Sequence, residues 1–172
     1  VHKLVAGLKQ TPGIRRVALT TNGVLLAEQL PDLLAAGLDS VNISLDALSP
    51  EVYRAIAGRD ELEATRRGIR AALEGGLPVK LNCVPQPGLN ETELLPLAAL
   101  ARQLPLQVRF IEMMPIGCGA AQPSLSGREV LARLRAQWPE LAPLPAAQAA
   151  GFGDGPAVYY SAPGWQGSVG LI

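Results

Sequence analysis

Apolar and polar positions alternate strictly through Val41-Asn42-Ile43-Ser44-Leu45-Asp46, so Asn42, Ser44 and Asp46 point to one side of a strand and Val41, Ile43 and Leu45 to the other. Three more runs read as strands: Arg15 to Thr20, Val79 to Val84 and Leu106 to Ile111. Between them the spacing becomes helical. Val1 to Gln10 carries Leu4, Val5 and Leu8 and stops at Thr11-Pro12-Gly13. A second helix falls between Leu26 and Ala36, with Pro31 fitting best in a first turn and Gly37 capping the far end. Ser49-Pro50-Glu51 predicts a capped helix start and Gly58-Arg59-Asp60 an interruption. Glu61 to Glu74 predicts a longer helix that ends at Gly75-Gly76. Asn90-Glu91-Thr92-Glu93 has the capping-box pattern and predicts a helix through about Gln103.

Four strand and helix units joined by short loops predict a right-handed parallel α/β arrangement. Four strands cannot close a barrel, which needs about eight. The expectation is an open sheet, or part of a barrel whose other strands lie outside this sequence. Beyond Pro115 the pattern changes. Ser126 to Gln137 predicts an amphipathic helix, Pro139 to Gly155 a loop rich in Pro, Ala and Gly, and Ala157 to Ser161 with Ser168 to Ile172 a hairpin. A boundary is expected near Gly117, dividing residues 1–116 from residues 117–172.

Composition narrows the function classes. Fifteen basic residues balance fifteen acidic ones, so no bulk field draws in a nucleic acid or an anionic membrane, and an anionic ligand must be held locally. No apolar run reaches the roughly 18 residues that span a bilayer, and no signal-peptide pattern is present. Cys83 and Cys118 match no metal-ligand spacing, which makes a reducing cytoplasm the default location.

Ligands of parallel α/β folds sit at the C-terminal ends of the strands. Thr20 and Asn22 share one side of the first predicted strand, Asn42, Ser44 and Asp46 one side of the second, and Lys80 and Asn82 one side of the third, while Glu112 ends the fourth. Lys80 is the most informative of these. A Lys in an apolar strand either snorkels to solvent or pairs with an anion, and its compact ammonium suits a phosphate or carboxylate. Other features carry less. His2 reads as a surface residue, Met113 and Met114 as core filler, and Gly151, Gly153 and Gly155 follow no strand that would make them a phosphate loop.

The runs Leu19-Thr20-Thr21-Asn22-Gly23, Val41 to Ala47, Val79-Lys80-Leu81-Asn82 and Arg109 to Pro115, in this order, resemble the molybdenum cofactor biosynthesis protein A family of radical S-adenosylmethionine (SAM) enzymes. Gly155-Pro156-Ala157, Tyr159-Tyr160 and Gly167 to Gly170 resemble its C-terminal half. The resemblance implies a partial (β/α) TIM-like barrel over residues 1–116, followed by the start of a C-terminal molybdenum cofactor synthesis domain with its hairpin. It implies GTP 3′,8-cyclisation, in which a reduced [4Fe-4S] cluster splits SAM and the 5′-deoxyadenosyl radical takes the ribose 3′ hydrogen of GTP. The ribose carbon radical then attacks C8 of guanine, and a partner protein converts the product to cyclic pyranopterin monophosphate; a homodimer is compatible with it.

Carried over by motif, Ser44 and Met114 contact SAM, with Asp46 and Asn82 beside them, while Thr20 and Lys80 contact GTP, with Asn22 nearby. The family's two three-cysteine sets belong upstream of Val1 and beyond Ile172. No metal ligand or catalytic group is therefore assigned within the chain, and activity of this chain alone is not expected. Two alternatives stay open: a non-catalytic nucleotide-binding relative, and a Schiff-base aldolase barrel with Lys80 as nucleophile.

Overall fold

The computed structural model describes residues 1–114, 116–117, 123–145, 148 and 155–172. Cys118, Gly151 and Gly153 lie outside the described residues, as does most of the second half of the loop expected up to Gly155. In chain order the elements are α1 (His2–Gln10), β1 (Ala18–Thr21), α2 (Leu26–Ala35), β2 (Ser40–Ser44), α3 (Pro50–Ala57) and α4 (Leu62–Glu74). They continue with β3 (Val79–Cys83), a 3-10 turn (Glu91–Glu93), α5 (Leu94–Gln103), β4 (Gln107–Phe110), α6 (Gly127–Gln137), β5 (Ala142–Pro143), β6 (Val158–Ser161) and β7 (Ser168–Leu171).

Among the described residues the strands form one sheet in the order β1-β2-β3-β4-β7-β6-β5. Strands β1, β2, β3, β4 and β7 run parallel, and β6 turns back against β7 as the predicted hairpin. The part-barrel reading thus gains a fifth parallel strand that local patterns did not announce, because β7 arrives beside β4 from far along the chain. Residues on both sides of Gly117 contribute to this sheet.

One face of the sheet is the core. Val41, Ile43, Leu45, Val79, Leu81, Cys83, Val108, Phe110 and Val169 are buried there with Leu33, Leu62, Leu97 and Leu134 of the covering helices. The other face carries the polar row, exposed at Thr20, half-buried at Asn42, Lys80, Asn82 and Arg109, and buried at Gln107 and Ser168. A parallel sheet is normally buried on both faces, so an uncovered polar face is the signature of a barrel interior laid open.

Local signals were overridden in three places. Pro31 sits inside α2 rather than in its first turn, and the helix is held by buried Leu26, Leu30 and Leu33. Ser49 occupies the N-cap of α3, but its hydroxyl bonds Glu51 at 2.8 Å instead of a backbone N–H. The capping box expected at Asn90 does not form, because the side chains of Asn90 and Glu93 reach across to the β2–α3 turn. A capping box does form at Ser126 and Glu129, where α6 begins. Close packing explains one glycine: a Cβ on Gly68 of α4 would stand 2.3 Å from the Gly23 carbonyl oxygen, so the turn after β1 rests directly on the helix.

Candidate functional site

Strand register sets the site. Thr20, Asn42, Lys80, Gln107 and Ser168 are neighbours across the sheet in one row, and Ser44, Asn82, Arg109 and Gly170 form the row one step nearer the C-terminal ends. Both rows lie on the polar face. Arg109 ties them together: its Nε donates to Asn82 Oδ1 at 2.8 Å and its Nη2 to Asn42 Oδ1 at 3.1 Å. Asn42 Nδ2 in turn donates to Thr20 Oγ1 at 3.2 Å. The network therefore spans β1 to β4.

Lys80 stands beside this network and outside it. Among the described residues it has neither a hydrogen bond nor an ion pair, and burial, then the nearby Arg109 and Arg16 charges, push its ammonium below the ordinary lysine range. No described carboxylate pairs with Arg109 either. Two adjacent cations ringed by neutral Asn, Thr and Gln side chains make a face suited to an anion.

Cavities open at both ends of the strands. At the C-terminal ends a space of about 310 Å³ is lined by Asn22, Ser44 and Asp46, and by Tyr53 and Arg59. At the N-terminal ends one of about 350 Å³ is lined by Arg16, Pro78, Lys80, Pro105 and Gln107. Lys80, expected with the C-terminal strand ends, is the second residue of β3 and opens to the opposite end. The reason is the strand's reach: two residues span about 6.6 Å, and Asn82 occupies the upper row.

The β2–α3 turn below the first cavity is tightly held. Asp46 Oδ1 accepts from Val84 N at 2.8 Å, and the Asp46 carbonyl accepts from Asn90 Nδ2 at 3.0 Å. Glu93 Oε2 accepts from Leu48 N at 2.6 Å and Ser49 N at 3.1 Å. Asn22 makes an Asx turn with Val24 N, 3.2 Å away, while its carbonyl takes the buried Thr65 hydroxyl at 3.0 Å. Glu112 Oε2 accepts from Gly127 N at the start of α6, 3.3 Å away. Met114 is exposed beyond β4 and lines neither cavity.

Burial raises the Asp46 carboxyl above the usual range, against the lowering effect of the Val84 N–H. A raised acid makes the folded state hold its proton more tightly, so stability falls as pH climbs from the unfolded value near 3.9 through the folded one. Asp46→Asn keeps an oxygen for Val84 N and carries no charge. Its unfolding midpoint should exceed that of the parent at pH 7 and match it near pH 3, as urea titrations at the two pH values would read.

Sequence reasoning named Thr20, Asn22, Ser44, Asp46, Lys80 and Asn82 from alternation, and all lie on or at the ends of the polar face. It did not single out Arg109 as a site residue. The signal was there, since Gln107 and Arg109 alternate with Val108 and Phe110 as polar and apolar positions do in β2.

Residues 1–101 match the radical SAM superfamily. The whole chain is similar to "Molybdenum cofactor biosynthesis protein 1" of Bos taurus, at 44% identity and covering 27% of that protein. It is similar to "GTP 3′,8-cyclase" of Moorella thermoacetica, also at 44% identity over the whole chain, covering 53% of that protein. The chain thus spans about half the length of its bacterial relative. Among solved structures, a domain of pyruvate-formate lyase-activating enzyme from Bacteroides vulgatus superposes with a TM-score of 0.60 at 18% identity, covering 78% of this chain and 81% of that one. That likeness concerns the fold.

Proposed function

This chain belongs to the radical SAM superfamily, and on that premise we propose that it forms the substrate-holding centre of a GTP 3′,8-cyclase. The observation that carries the reading is the pair of cations, Lys80 and Arg109, on the polar face without a carboxylate partner among the described residues. In a chain of zero net charge such a pair supplies a local field for an anion. The relatives named GTP 3′,8-cyclase supply the anion's identity.

In this reading Thr20, Lys80 and Arg109 hold the nucleotide, with Asn22 at the upper edge. Ser44 and Asp46, lining the upper cavity, hold the adenosyl part of SAM, with Asn82 bracing Arg109 beside it and the exposed Met114, in the segment after β4, reaching SAM from outside the cavity lining. The residues at the upper cavity fit SAM in their chemistry: a hydroxyl, an amide and a half-buried carboxylate are what a ribose and an amino acid tail can hydrogen-bond. When bound with a reduced cluster, SAM supplies the radical that removes a hydrogen atom. What this chain's residues contribute is position, keeping the ribose near the upper cavity while the phosphates extend toward Lys80.

The iron–sulfur cluster does not fit the described residues. Among them no group of three or more His, Cys, Asp or Glu comes together. Cys83 is buried on the core face, where burial pushes its thiol far up, so it is no thiolate ligand. No step is assigned to a cluster held by this chain. A partner enzyme that carries the cyclised nucleotide on to cyclic pyranopterin monophosphate completes the reading. Among the described residues no helix is long and apolar enough to cross a membrane.

The test is anaerobic incubation of the native gene product, reconstituted with iron and sulfide, with GTP, SAM and dithionite. A cyclised GTP product forming together with 5′-deoxyadenosine is expected. 5′-Deoxyadenosine without any GTP-derived product would overturn the substrate assignment.

A further inference from the structure

Arg109 is held by amide oxygens from β2 and β3, and a further neighbour reaches it across β7. Gly170 of β7 lies opposite Arg109 of β4 on one side and opposite Tyr159 of β6 on the other. A Cβ on Gly170 would stand 2.8 Å from Tyr159 Cε1 and 3.2 Å from Arg109 Cγ. The bare glycine therefore lets the buried Tyr159 ring and the Arg109 stem lie over the same stretch of backbone. The Tyr159 ring is thereby brought against the Arg109 side chain, close enough for the guanidinium to act on the phenol.

We infer that Tyr159 is a positioning residue for Arg109, completing a set of neutral acceptors on β2, β3 and β6 that fixes the guanidinium's direction while leaving its charge for an anionic ligand. The inference rests on the nucleotide reading of the polar face. Asn42 and Asn82 are uncharged acceptors toward Arg109, and the Tyr159 ring across Gly170 is the uncharged group on its third side. A carboxylate in any of the three places would hold the guanidinium equally well and neutralise it. Neutral acceptors restrict its rotamers before the ligand arrives, so less side-chain freedom is lost on binding. Burial raises the Tyr159 phenol above its ordinary range, which keeps it neutral through physiological pH.

The experiment measures GTP affinity of the native gene product and its Tyr159→Phe, Arg109→Met and doubly substituted forms, with unfolding midpoints alongside. Phe keeps the ring seated on Gly170 and removes only the oxygen, so the fold is retained. Tyr159→Phe should weaken GTP binding about tenfold, equivalent to about 1.4 kcal/mol. The same change in the Arg109→Met background should cost nothing further, because the two residues act through one contact. An additive loss, or unchanged affinity for Tyr159→Phe while Arg109→Met binds weakly, overturns the positioning role and leaves the nucleotide reading standing. Unchanged affinity for Arg109→Met overturns the nucleotide reading itself. A midpoint that falls in Tyr159→Phe without a change in affinity assigns the phenol to structure alone and also overturns the proposal.

Discussion

Replacing Lys80 by alanine is expected to weaken GTP binding by roughly ten- to a hundred-fold, the loss of one charge-assisted contact of about 1.5 to 3 kcal/mol, and to leave the unfolding midpoint unchanged or raised. The second half of that expectation separates two roles for a strand lysine. Were Lys80 there to neutralise a buried carboxylate such as Asp46, its removal would strand that charge and the cost would fall on stability. Asp46 is occupied instead by the Val84 N–H, and Lys80 has no ion pair among the described residues. Its ammonium is instead disfavoured, first by burial and then by Arg109 and Arg16. A base whose folded value is lowered costs stability while charged, a cost relieved as pH rises through the folded value toward the unfolded one. Alanine removes that cost at neutral pH. Isothermal titration with GTP and urea unfolding of one preparation decide it: intact affinity with a sharply lowered midpoint would end the phosphate assignment. A depressed lysine also suits a Schiff-base nucleophile, and borohydride trapping with a carbonyl substrate should leave Lys80 unmodified if it is an anion site.

The polar face was legible because a strand's period of two needs only local sequence. Asn42, Ser44 and Asp46 sort from Val41, Ile43 and Leu45 by alternation alone, and the same rule places Lys80 with Asn82. Whether that face looks into a barrel or into a helix layer is a tertiary fact, and alternation does not carry it. Tyr159 and Gly170 were illegible as site residues for a similar reason. Their meeting with Arg109 requires β7 to lie beside β4, a pairing between segments about 60 positions apart in sequence, in keeping with the long crossover a parallel pair requires. The boundary expected near Gly117 was read from a change in the strand and helix pattern, whereas strand pairing across that position is set by the open edge of β4.

The turn that carries Asp46 shows a local signal giving way to a distant demand. Asn90 and Glu93 have the spacing of a capping box, yet the donors left unpaired by the tight β2–α3 turn, Leu48 N and Ser49 N, lie within reach of Glu93 and are satisfied by it. A buried unpaired N–H costs more than an exposed helix end, which water serves.

Asn90→Leu should therefore be the most damaging single substitution among those considered. Asn90 is fully buried, its Nδ2 donates to the carbonyls of Asp46 at 3.0 Å and Val84 at 3.1 Å, and its Oδ1 accepts from Gln86 N at 2.7 Å. Leucine matches the volume but takes the amide from these three part-buried backbone groups, leaving only the Cys83 thiol, 3.9 Å away, at the Asp46 carbonyl. At about 1 to 3 kcal/mol for each stranded group, the Val84 carbonyl and the Gln86 N–H alone cost at least about 2 kcal/mol, a large share of the roughly 5 to 15 kcal/mol that holds a domain folded. Urea unfolding should show a strongly lowered midpoint, and SAM affinity should fall with it, because Asp46 and Ser44 sit on the strand and turn that Asn90 clamps. Glu93→Gln is the control, since it keeps an oxygen for Leu48 N and Ser49 N and should lose much less. A leucine variant as stable as the parent would show that water replaces the amide at this site, and that the turn keeps its shape without the clamp.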